Sequence, residues 1–363
     1  MTDNNAVVAQ FEIRYHQFLT KEGVLVQPLP EPLDNNPTLW KEMYYHLVRN
    51  RMFDEKAIKL QRTGQMSTYP STEGQEAIAV GVGMAMHRED VLVPYYRECG
   101  AHLVRGVKMD EMFMYWGGDE RGSLYEQIPN DFPYCVPIAT QCLHAAGVAA
   151  AFKYKQEKRA AVSFIGDGGT SKGDFYEAMN VAGVWHLPVV FLINNNQWAI
   201  SVPISQQTAC KTLAQKGIAA GLSAEQVDGD DIFAVYHATH LALDRARQGK
   251  GAHVIEAITY RMGDHTTADD ASRYRDNEAV QKHRDECPIL RLRKFMESQN
   301  VWNAADESAL IEKIAADIEA AVTRYQQLTP CPVTDMFDYL YETLPDALQE
   351  QRDEVIAYFG DRS

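Results

Sequence analysis

The middle of the chain alternates short, wholly apolar segments with segments of helical pattern, and this alternation restricts the possible folds more than any other feature. AAVSFIG (160–166), PVVFLINNN (188–196) and AHVIEAITYR (252–261) are predicted strands. Between them lie predicted helices such as GDFYEAMNVAGVWH (173–186) and IFAVYHATHLALDRARQG (232–249). Strands that are apolar on both faces occur in parallel sheets that helices cover on both sides. The sequence therefore predicts an α/β fold with a doubly wound parallel sheet.

The pattern divides the chain into four parts. Residues 1–60 form a polar, proline-containing arm, expected to lie over a surface, followed by an amphipathic helix. Residues 61–265 form the α/β domain. Residues 266–286 continue a polar, charged loop that begins with GDHTTADD, and long loops in compact domains are often functional. Residues 287–363 form a C-terminal helical region.

Charge and cysteine usage exclude several classes of protein. The net charge of −15 leaves no excess of Lys or Arg for phosphate backbones, so no nucleic-acid partner is expected. The six cysteines include no C-x-x-C pair, and the first residues do not form a secretory signal. No apolar segment approaches the ~20 residues of a membrane span. We therefore expect a cytoplasmic protein with reduced thiols and no membrane insertion.

Two neighbouring strands are each followed by polar residues suited to a ligand site. GDGG (166–169) follows the first strand, and its glycines and the next helix start favour a phosphate. Asp167 brings a negative charge to this anion site, which is favourable only if a cation lies between carboxylate and phosphate. Carboxylate, amide and carbonyl oxygens are ligands that Mg²⁺ prefers. Asn194, Asn195 or Asn196, after the second strand, can supply the amide.

Each motif alone has a simpler interpretation. A GDGG turn is often only a tight turn, and asparagines after a strand often form an Asx turn or a helix cap. Both motifs end a buried strand, however, and ligands in doubly wound sheets bind at the carboxyl ends of the strands. Their joint occurrence favours a binding site.

At these residues the chain resembles a known family. GDGGTSKGDFYEAMN…NNNQWAIS is similar to the thiamine diphosphate-binding motif, which opens with GDG and closes with NN about thirty residues later. From about Leu39 onward the chain resembles the alpha subunit of the decarboxylating first component of 2-oxo acid dehydrogenase complexes, and most of all bacterial pyruvate dehydrogenase alpha chains. The shared stretches include GQEA, YRECG, IATQ, TLAQK, QVDG and GDHTTADDASRYR. The resemblance implies the thiamine diphosphate-binding fold.

The resemblance also implies a role for residues at the phosphate end of the cofactor. Asp167 and Asn196 match side-chain ligands of Mg²⁺, and the carbonyl of Trp198 matches a third ligand. Tyr96 and Arg97 match residues that contact the diphosphate, where arginine offers a charge-assisted fork. Without the resemblance, Arg97 would be taken for one half of a surface ion pair.

Other matched positions concern the phosphate turn, the cofactor ring and the chemistry. Gly168 and Gly169 match residues whose backbone N–H groups bind phosphate. Val136 and Ile138 match positions that hold the aminopyrimidine ring and support the bent cofactor, although Ile138 also suits an ordinary core. His265 matches the catalytic loop histidine, which reaches the cofactor and assists acyl transfer to the lipoyl arm. Its ring is expected to carry a proton near neutral pH.

The chain departs from the family pattern in three places. Many relatives have a second active-site histidine within the segment that corresponds to YWGGDERGSLYEQIPNDFPY, and none occurs here. Tyr125 lies in that segment, but we do not transfer the role to it. His144 stands where relatives often have glutamine. Thr266 replaces the serine that is phosphorylated in animal relatives, so that route of regulation is not expected.

The implied function is that of the pyruvate dehydrogenase alpha subunit, which decarboxylates pyruvate and transfers the acetyl group to the lipoyl-lysine of a dihydrolipoyl acyltransferase. In the family, the glutamate that activates the cofactor belongs to a beta subunit, so an alpha-two beta-two heterotetramer is expected and this chain alone should be inactive. A branched-chain 2-oxo acid or an acetoin dehydrogenase alpha subunit remains an alternative. A non-catalytic protein that binds a phosphate ligand is a remote one.

Overall fold

The computed structural model describes residues 6–360, and in this part of the chain six strands form one sheet whose neighbouring strands are all parallel. Residues 6–360 contain eight strands in all, namely β1 (Tyr15–His16), β2 (Val91–Val93), β3 (Ala161–Gly166), β4 (Val189–Asn195), β5 (Trp198–Ala199), β6 (Val202–Pro203), β7 (Ser223–Asp228) and β8 (His253–Ile258). The order in the sheet is β1-β7-β8-β4-β3-β2, and β5 and β6 form a separate antiparallel hairpin.

The helices connect and cover these strands. They are α1 (Pro37–Arg62), α2 (Glu76–Ala85), α3 (Cys99–Arg105), α4 (Met109–Gly117), α5 (Thr140–Tyr154), α6 (Gly173–Val184), α7 (Ile204–Gln207), α8 (Gln215–Ala219), α9 (Ile232–Arg247), α10 (Asn277–Asp285), α11 (Pro288–Ser298), α12 (Ala304–Gln326), α13 (Asp335–Asp338) and α14 (Asp346–Phe359). Short 3₁₀ turns span Glu120–Ser123, Gly168–Ser171 and Ala271–Arg273.

The central strands are apolar on both faces because each face lies against a separate core. On β4, Val190 and Leu192 belong to a core shared with α1, α2 and α9. Val189, Phe191 and Ile193, which point to the opposite face, belong to a second core shared with α5 and α6. This is the consequence of side chains alternating along a strand between two helical layers. The predicted α/β fold with helices on both faces is confirmed.

The N-terminal arm forms part of the core, which differs from the surface position expected from its polar sequence. Leu19 and Leu33 are fully buried, and β1 adds a strand to the sheet beside β7. Asp231, the N-cap of α9, accepts hydrogen bonds from the backbone N–H groups of Phe18 at 2.6 Å and Leu19 at 2.7 Å. These bonds satisfy backbone groups that would otherwise be buried without partners, so the arm can enter the core.

The C-terminal region is helical, as predicted, but its helices differ in how closely they pack. α11 and α12 pack against α1 and contribute Phe295 and Ile314 to the larger core. α14 has no buried residue. Within residues 6–360, no helix is both long enough and apolar enough to cross a membrane.

Candidate active site

A cleft of about 260 Å³ lies at the carboxyl ends of β2, β3 and β4, which are neighbours in the sheet. Because parallel strands end at the same edge, segments far apart in the chain meet there. Every predicted site residue except Val136 lines this cleft, namely Tyr96, Arg97, Ile138, Asp167, Gly168, Gly169, Asn196, Trp198 and His265. Val136 lies outside the cleft lining and is 53% exposed.

The backbone of the GDGG turn lies close to the side chains of Ala199 and Ile165. A Cβ atom on Gly168 would lie 2.5 Å from the Cβ of Ala199, and one on Gly169 would lie 2.7 Å from Cγ1 of Ile165. Both distances are far shorter than a normal carbon contact, so these positions require glycine. The 3₁₀ turn that follows leads directly into α6. The cleft therefore has a wall of bare backbone beside a helix start, which suits an anion.

Asp167 presents a buried carboxylate to the cleft. Its Oδ2 accepts a hydrogen bond from Nε2 of Gln207 at 2.6 Å, and no lysine or arginine in residues 6–360 forms an ion pair with it. Burial raises the pKa of the Asp167 carboxyl above its usual value, and the Gln207 hydrogen bond acts in the opposite direction. A buried carboxylate without a cationic partner is costly, so a bound cation would stabilise it.

The structure distinguishes among the three asparagines after β4. Asn195 donates to Oε1 of Glu256 at 2.7 Å and accepts from Gln197, so its amide is used within the fold. Asn196 alone of the three lines the cleft. Its Nδ2 donates to Oε1 of Gln75 at 2.9 Å, and its Oδ1 accepts from the backbone N–H of Trp198 at 3.1 Å. An amide oxygen has a second lone pair, so Asn196 Oδ1 can also bind a cation.

A strained hairpin covers one side of the cleft. Ile200, in the turn between β5 and β6, has φ of 54°, a conformation that is unfavourable for a β-branched residue. Its carbonyl accepts a hydrogen bond from Nη2 of Arg261 at 2.8 Å, and the carbonyl of Trp198 lies 3.5 Å from Nη1 of the same side chain. The buried Arg261 guanidinium thus holds the hairpin over the cleft, and Ile200 lines the cleft wall.

Arg97 is buried and contacts the loop histidine rather than an acidic side chain. Its Nη2 lies 2.9 Å from Nδ1 of His265 and donates to the carbonyl of His265 at 2.7 Å, while Nη1 donates to the carbonyl of Ser71. Since arginine can only donate, Nδ1 of His265 is the acceptor and the ring proton is on Nε2. The surface ion pair considered for Arg97 does not form.

The charge state of His265 differs from the expectation of a ring protonated near neutral pH. Burial, followed by the positive charges of Arg97 and Arg261, lowers the pKa of His265 to about 3. Each of these causes disfavours the imidazolium. In the cofactor-free chain His265 is therefore a neutral side chain that offers an N–H donor at Nε2.

The loop that carries His265 is fixed by its own hydrogen bonds. Oδ2 of Asp269 accepts from the backbone N–H of His265 at 2.8 Å and from the hydroxyl of Tyr274. Tyr274 in turn accepts from Nη2 of Arg261 at 2.8 Å. Arg275 donates to the carbonyls of residues 261–263. The polar residues of this segment thus hold the histidine at the cleft and do not merely face solvent.

Glu98, directly after Arg97, is an unusual buried acid. It is fully buried, and neither carboxyl oxygen has a hydrogen-bond partner within the described residues. Burial raises the pKa of Glu98 to about 8, although the nearby Arg97 acts against this. At neutral pH the group is therefore neutral in the folded chain, whereas an exposed glutamate is ionised.

We expect the wild-type chain to lose stability in alkaline solution, and we expect the Glu98→Gln variant not to show this loss. A carboxyl whose pKa is raised by folding stabilises the fold fully below its unfolded pKa, and this contribution is lost as pH rises through about 8. From pH 5 to pH 9 the wild type should lose on the order of 4 kcal/mol relative to the variant. Urea unfolding at pH 5, 7 and 9 measures this difference. Glu89→Gln, at an exposed position, keeps Glu98 and should lose as much stability at high pH as the wild type, whereas parallel curves for wild type and Glu98→Gln would contradict the assignment.

The two residues at the departures from the family pattern lie outside the cleft lining. Tyr125 is buried and packs its ring 4.9 Å from that of His102. His144 is exposed on α5, with its ring 6.1 Å from that of Phe132. Neither position supplies the missing second histidine.

Several residues around the cleft were not predicted from the sequence, among them Gln75, Gln207 and Ile200. Gln75 and Gln207 contact Asn196 and Asp167, from positions 121 and 40 residues away along the chain. Ile200 lies within WAIS, directly after the polar segment NNNQ (194–197), and that polar segment could have indicated a turn. No local pattern marks a glutamine whose partner is distant in sequence.

Comparison with known proteins gives consistent matches over most of the chain. Residues 44–332 match the family described as dehydrogenase E1 component. The pyruvate dehydrogenase E1 component subunit alpha of Mycoplasma genitalium is 38% identical over 346 residues, which cover 95% of this chain and 96% of that protein. The protein of the same name from Bacillus cereus is 37% identical over 347 residues, covering 95% and 93%. That from Staphylococcus aureus (strain Mu50) is 40% identical over 311 residues, covering 85% and 84%.

Proposed function

The chain belongs to the dehydrogenase E1 component family, and from this membership we propose that it is the alpha subunit of a thiamine diphosphate-dependent pyruvate dehydrogenase. The observation that carries the proposal is the meeting of Asp167, Asn196 and the two glycines of the GDGG turn in one cleft. The reaction is the oxidative decarboxylation of pyruvate, with transfer of the acetyl group to the lipoyl-lysine of a dihydrolipoyl acyltransferase. Relatives of nearly the same length carry the pyruvate dehydrogenase name.

The residues of the cleft fit thiamine diphosphate and Mg²⁺. The bare backbone at Gly168 and Gly169 suits phosphate oxygens, and a Cβ at either position would clash with Ala199 or Ile165. The buried Asp167 carboxylate, the Asn196 amide oxygen and the Trp198 carbonyl are hard oxygen donors of the kind Mg²⁺ prefers.

Each side chain of the cleft has a role in this proposal. Tyr96 and Arg97 donate hydrogen bonds to the diphosphate, and Arg97 also neutralises part of its charge. Ile138 lies against Gly169 and supports the ring system from below. His265 would offer its Nε2–H to the reacting group and assist acyl transfer. Bound thiamine diphosphate supplies the electron sink for decarboxylation.

A beta subunit would complete the active site. Val136, Ile138 and Ile200 are 53%, 40% and 55% exposed, although all three are apolar and two of them line the cleft. Apolar side chains grouped at the mouth of a cleft are typical of a surface that a partner covers. We propose an alpha-two beta-two heterotetramer in which the beta subunit covers this mouth and provides the activating glutamate. The cytoplasmic location stays a prediction.

Turnover of competing substrates tests the proposal. The chain, reconstituted with its beta subunit, thiamine diphosphate and Mg²⁺, should show a kcat/KM for pyruvate at least about 10-fold above that for 3-methyl-2-oxobutanoate, because a pocket shaped for a methyl group discriminates against added carbons. Acetoin serves as the third substrate. The chain without its beta subunit should convert none of the three. A preference for 3-methyl-2-oxobutanoate or acetoin would replace pyruvate as the substrate. Tight cofactor binding without turnover of any of the three would instead favour a non-catalytic phosphate-binding protein.

A further inference from the structure

Gln207, the last residue of α7, contacts the proposed cation ligand Asp167. Its Nε2 donates to Oδ2 of Asp167 at 2.6 Å and to the carbonyl of Val202 at 2.9 Å. Both hydrogens of the amide nitrogen are therefore used, and the nitrogen rather than the oxygen must face the carboxylate. Within residues 6–360, no other side chain donates to the Asp167 carboxylate. Gln207 is thus the side chain that orients this carboxylate, together with the backbone N–H groups of Asp167 and Gly168.

Gln75, directly before α2, contacts the second proposed ligand in a complementary way. Its Oε1 accepts a hydrogen bond from Nδ2 of Asn196 at 2.9 Å. The oxygen and the nitrogen of an amide group point in different directions from the carbon that carries them. Because Gln75 binds Nδ2 of Asn196, Oδ1 of Asn196 points away from Gln75. Gln75 is buried, as is Asn196, and neither can reorient without breaking this bond.

Such fixed orientation matters for a small, strongly hydrated cation. Mg²⁺ demands nearly ideal octahedral geometry with ligand oxygens at about 2.0–2.1 Å, whereas Ca²⁺ accepts flexible geometry. Partners that orient metal ligands typically change metal affinity by about 10- to 100-fold when they are removed. The glutamines make such orienting contacts, since Gln207 bonds to the side chain of Asp167 and Gln75 to the side chain of Asn196.

We propose that Gln207 and Gln75 are positioning residues for the cation, each holding one ligand side chain in the orientation that Mg²⁺ requires. The proposal rests on the proposed function, from which the cation and its ligands are taken. A further observation supports it. Oε1 of Gln207 is buried without a partner among the described residues and lies 3.8 Å from the position of a Cβ on Gly168. An acceptor left over beside the phosphate turn suits a water bound to the cation, whose hydrogens need acceptors.

The test compares Mg²⁺ and Ca²⁺ affinities in the protein reconstituted with its beta subunit and saturated with thiamine diphosphate. Gln207→Met and Gln75→Met remove the hydrogen bonds but keep unbranched side chains. Calorimetric titration should show Mg²⁺ binding about 10- to 100-fold more weakly than in the wild type. Ca²⁺ should lose less affinity, so the ratio of Mg²⁺ to Ca²⁺ affinity falls. Gln206→Met, at the exposed neighbouring position, is the matched control and should keep the wild-type ratio.

The ratio separates positioning from general damage to the fold. A Gln207→Met protein with the wild-type melting temperature and an unchanged Mg²⁺-to-Ca²⁺ ratio would overturn the inference. If Gln207→Met fails to fold, Gln75→Met carries the test, because it removes the contact to Asn196 without touching Asp167, and the same fall in the ratio is expected. Wild-type protein that binds thiamine diphosphate equally well with and without a divalent cation would instead overturn the proposed cofactor site, and this inference with it.

Discussion

Replacing Asp167 with asparagine should weaken Mg²⁺-dependent binding of thiamine diphosphate by at least about 100-fold. The change keeps the size of the side chain but removes the negative charge that Asp167 offers to the proposed cation. Losing one partner of a buried, hydrogen-bonded charge interaction generally costs about 2–5 kcal/mol, and the lower half of that range already corresponds to the expected loss. Calorimetric titration of the reconstituted protein with the cofactor, in the presence and absence of Mg²⁺, measures the effect.

The design of this experiment includes a matched substitution nearby. Asp174, seven positions further along and 3.1 Å from Nζ of Lys172, does not line the cleft, so Asp174→Asn should leave cofactor affinity within a few-fold of the wild type. In the Asp167→Asn protein, added Mg²⁺ should no longer improve cofactor binding. Undiminished Mg²⁺-dependent affinity would show that the cation is held elsewhere, and the proposed ligand set would have to be abandoned.

Replacing His265 with alanine should lower the rate of acyl transfer to a lipoylated domain by about 100- to 10,000-fold, the usual range for a positioned proton-transferring or hydrogen-bonding group. Cofactor affinity should change much less, because Arg97 keeps its hydrogen bond to the backbone carbonyl of residue 265 when the ring is removed. Because the neutral ring has its proton on Nε2, the alanine variant lacks the N–H donor that His265 offers. Stopped-flow measurement of lipoyl acylation, together with calorimetric titration of the cofactor, separates the two effects.

The control for His265 uses another histidine of the same chain. His144 is exposed on α5 outside the cleft lining, so His144→Ala should acylate the lipoyl domain at the wild-type rate. If His265→Ala acylated the domain as fast as His144→Ala, the loop histidine would have no part in transfer. A large loss of cofactor affinity in His265→Ala would point instead to a role in cofactor binding.

The parts of the fold and site that follow from local patterns could be predicted from the sequence. The apolar segments at β3, β4 and β8 predicted a parallel sheet because only a sheet covered on both sides makes use of such strands. Neighbouring parallel strands then bring the residues after β3 and β4 to one edge, which is why Asp167 and Asn196 meet in a single cleft. The family resemblance selected Asn196 among three candidates, and the structure gives the reason, since Asn195 is occupied by Glu256.

What could not be predicted depends on pairs of residues that are distant in sequence. The arm enters the core only because Asp231 satisfies its backbone groups, and Asp231 follows Leu19 by 212 positions. Likewise the pKa of His265 is lowered by burial and then by the charges of Arg97 and Arg261, which no pattern around the histidine reveals. Val136 matched a ring-binding position, yet it lies outside the cleft of the isolated chain. A surface completed by a partner cannot be read from one chain alone.

The two-residue strand β1 has a consequence for how the molecule behaves in a crowded solution. Without it, β7 would be the last strand of the sheet and would expose its backbone N–H and C=O groups, to which an extended segment of another molecule can pair. The arm occupies that position, and Nε2 of His16 lies 2.9 Å from the Glu225 carboxylate and places charge at the new border. The opposite border, β2, is only three residues long. Both margins of the sheet thus offer very little backbone for pairing with another molecule.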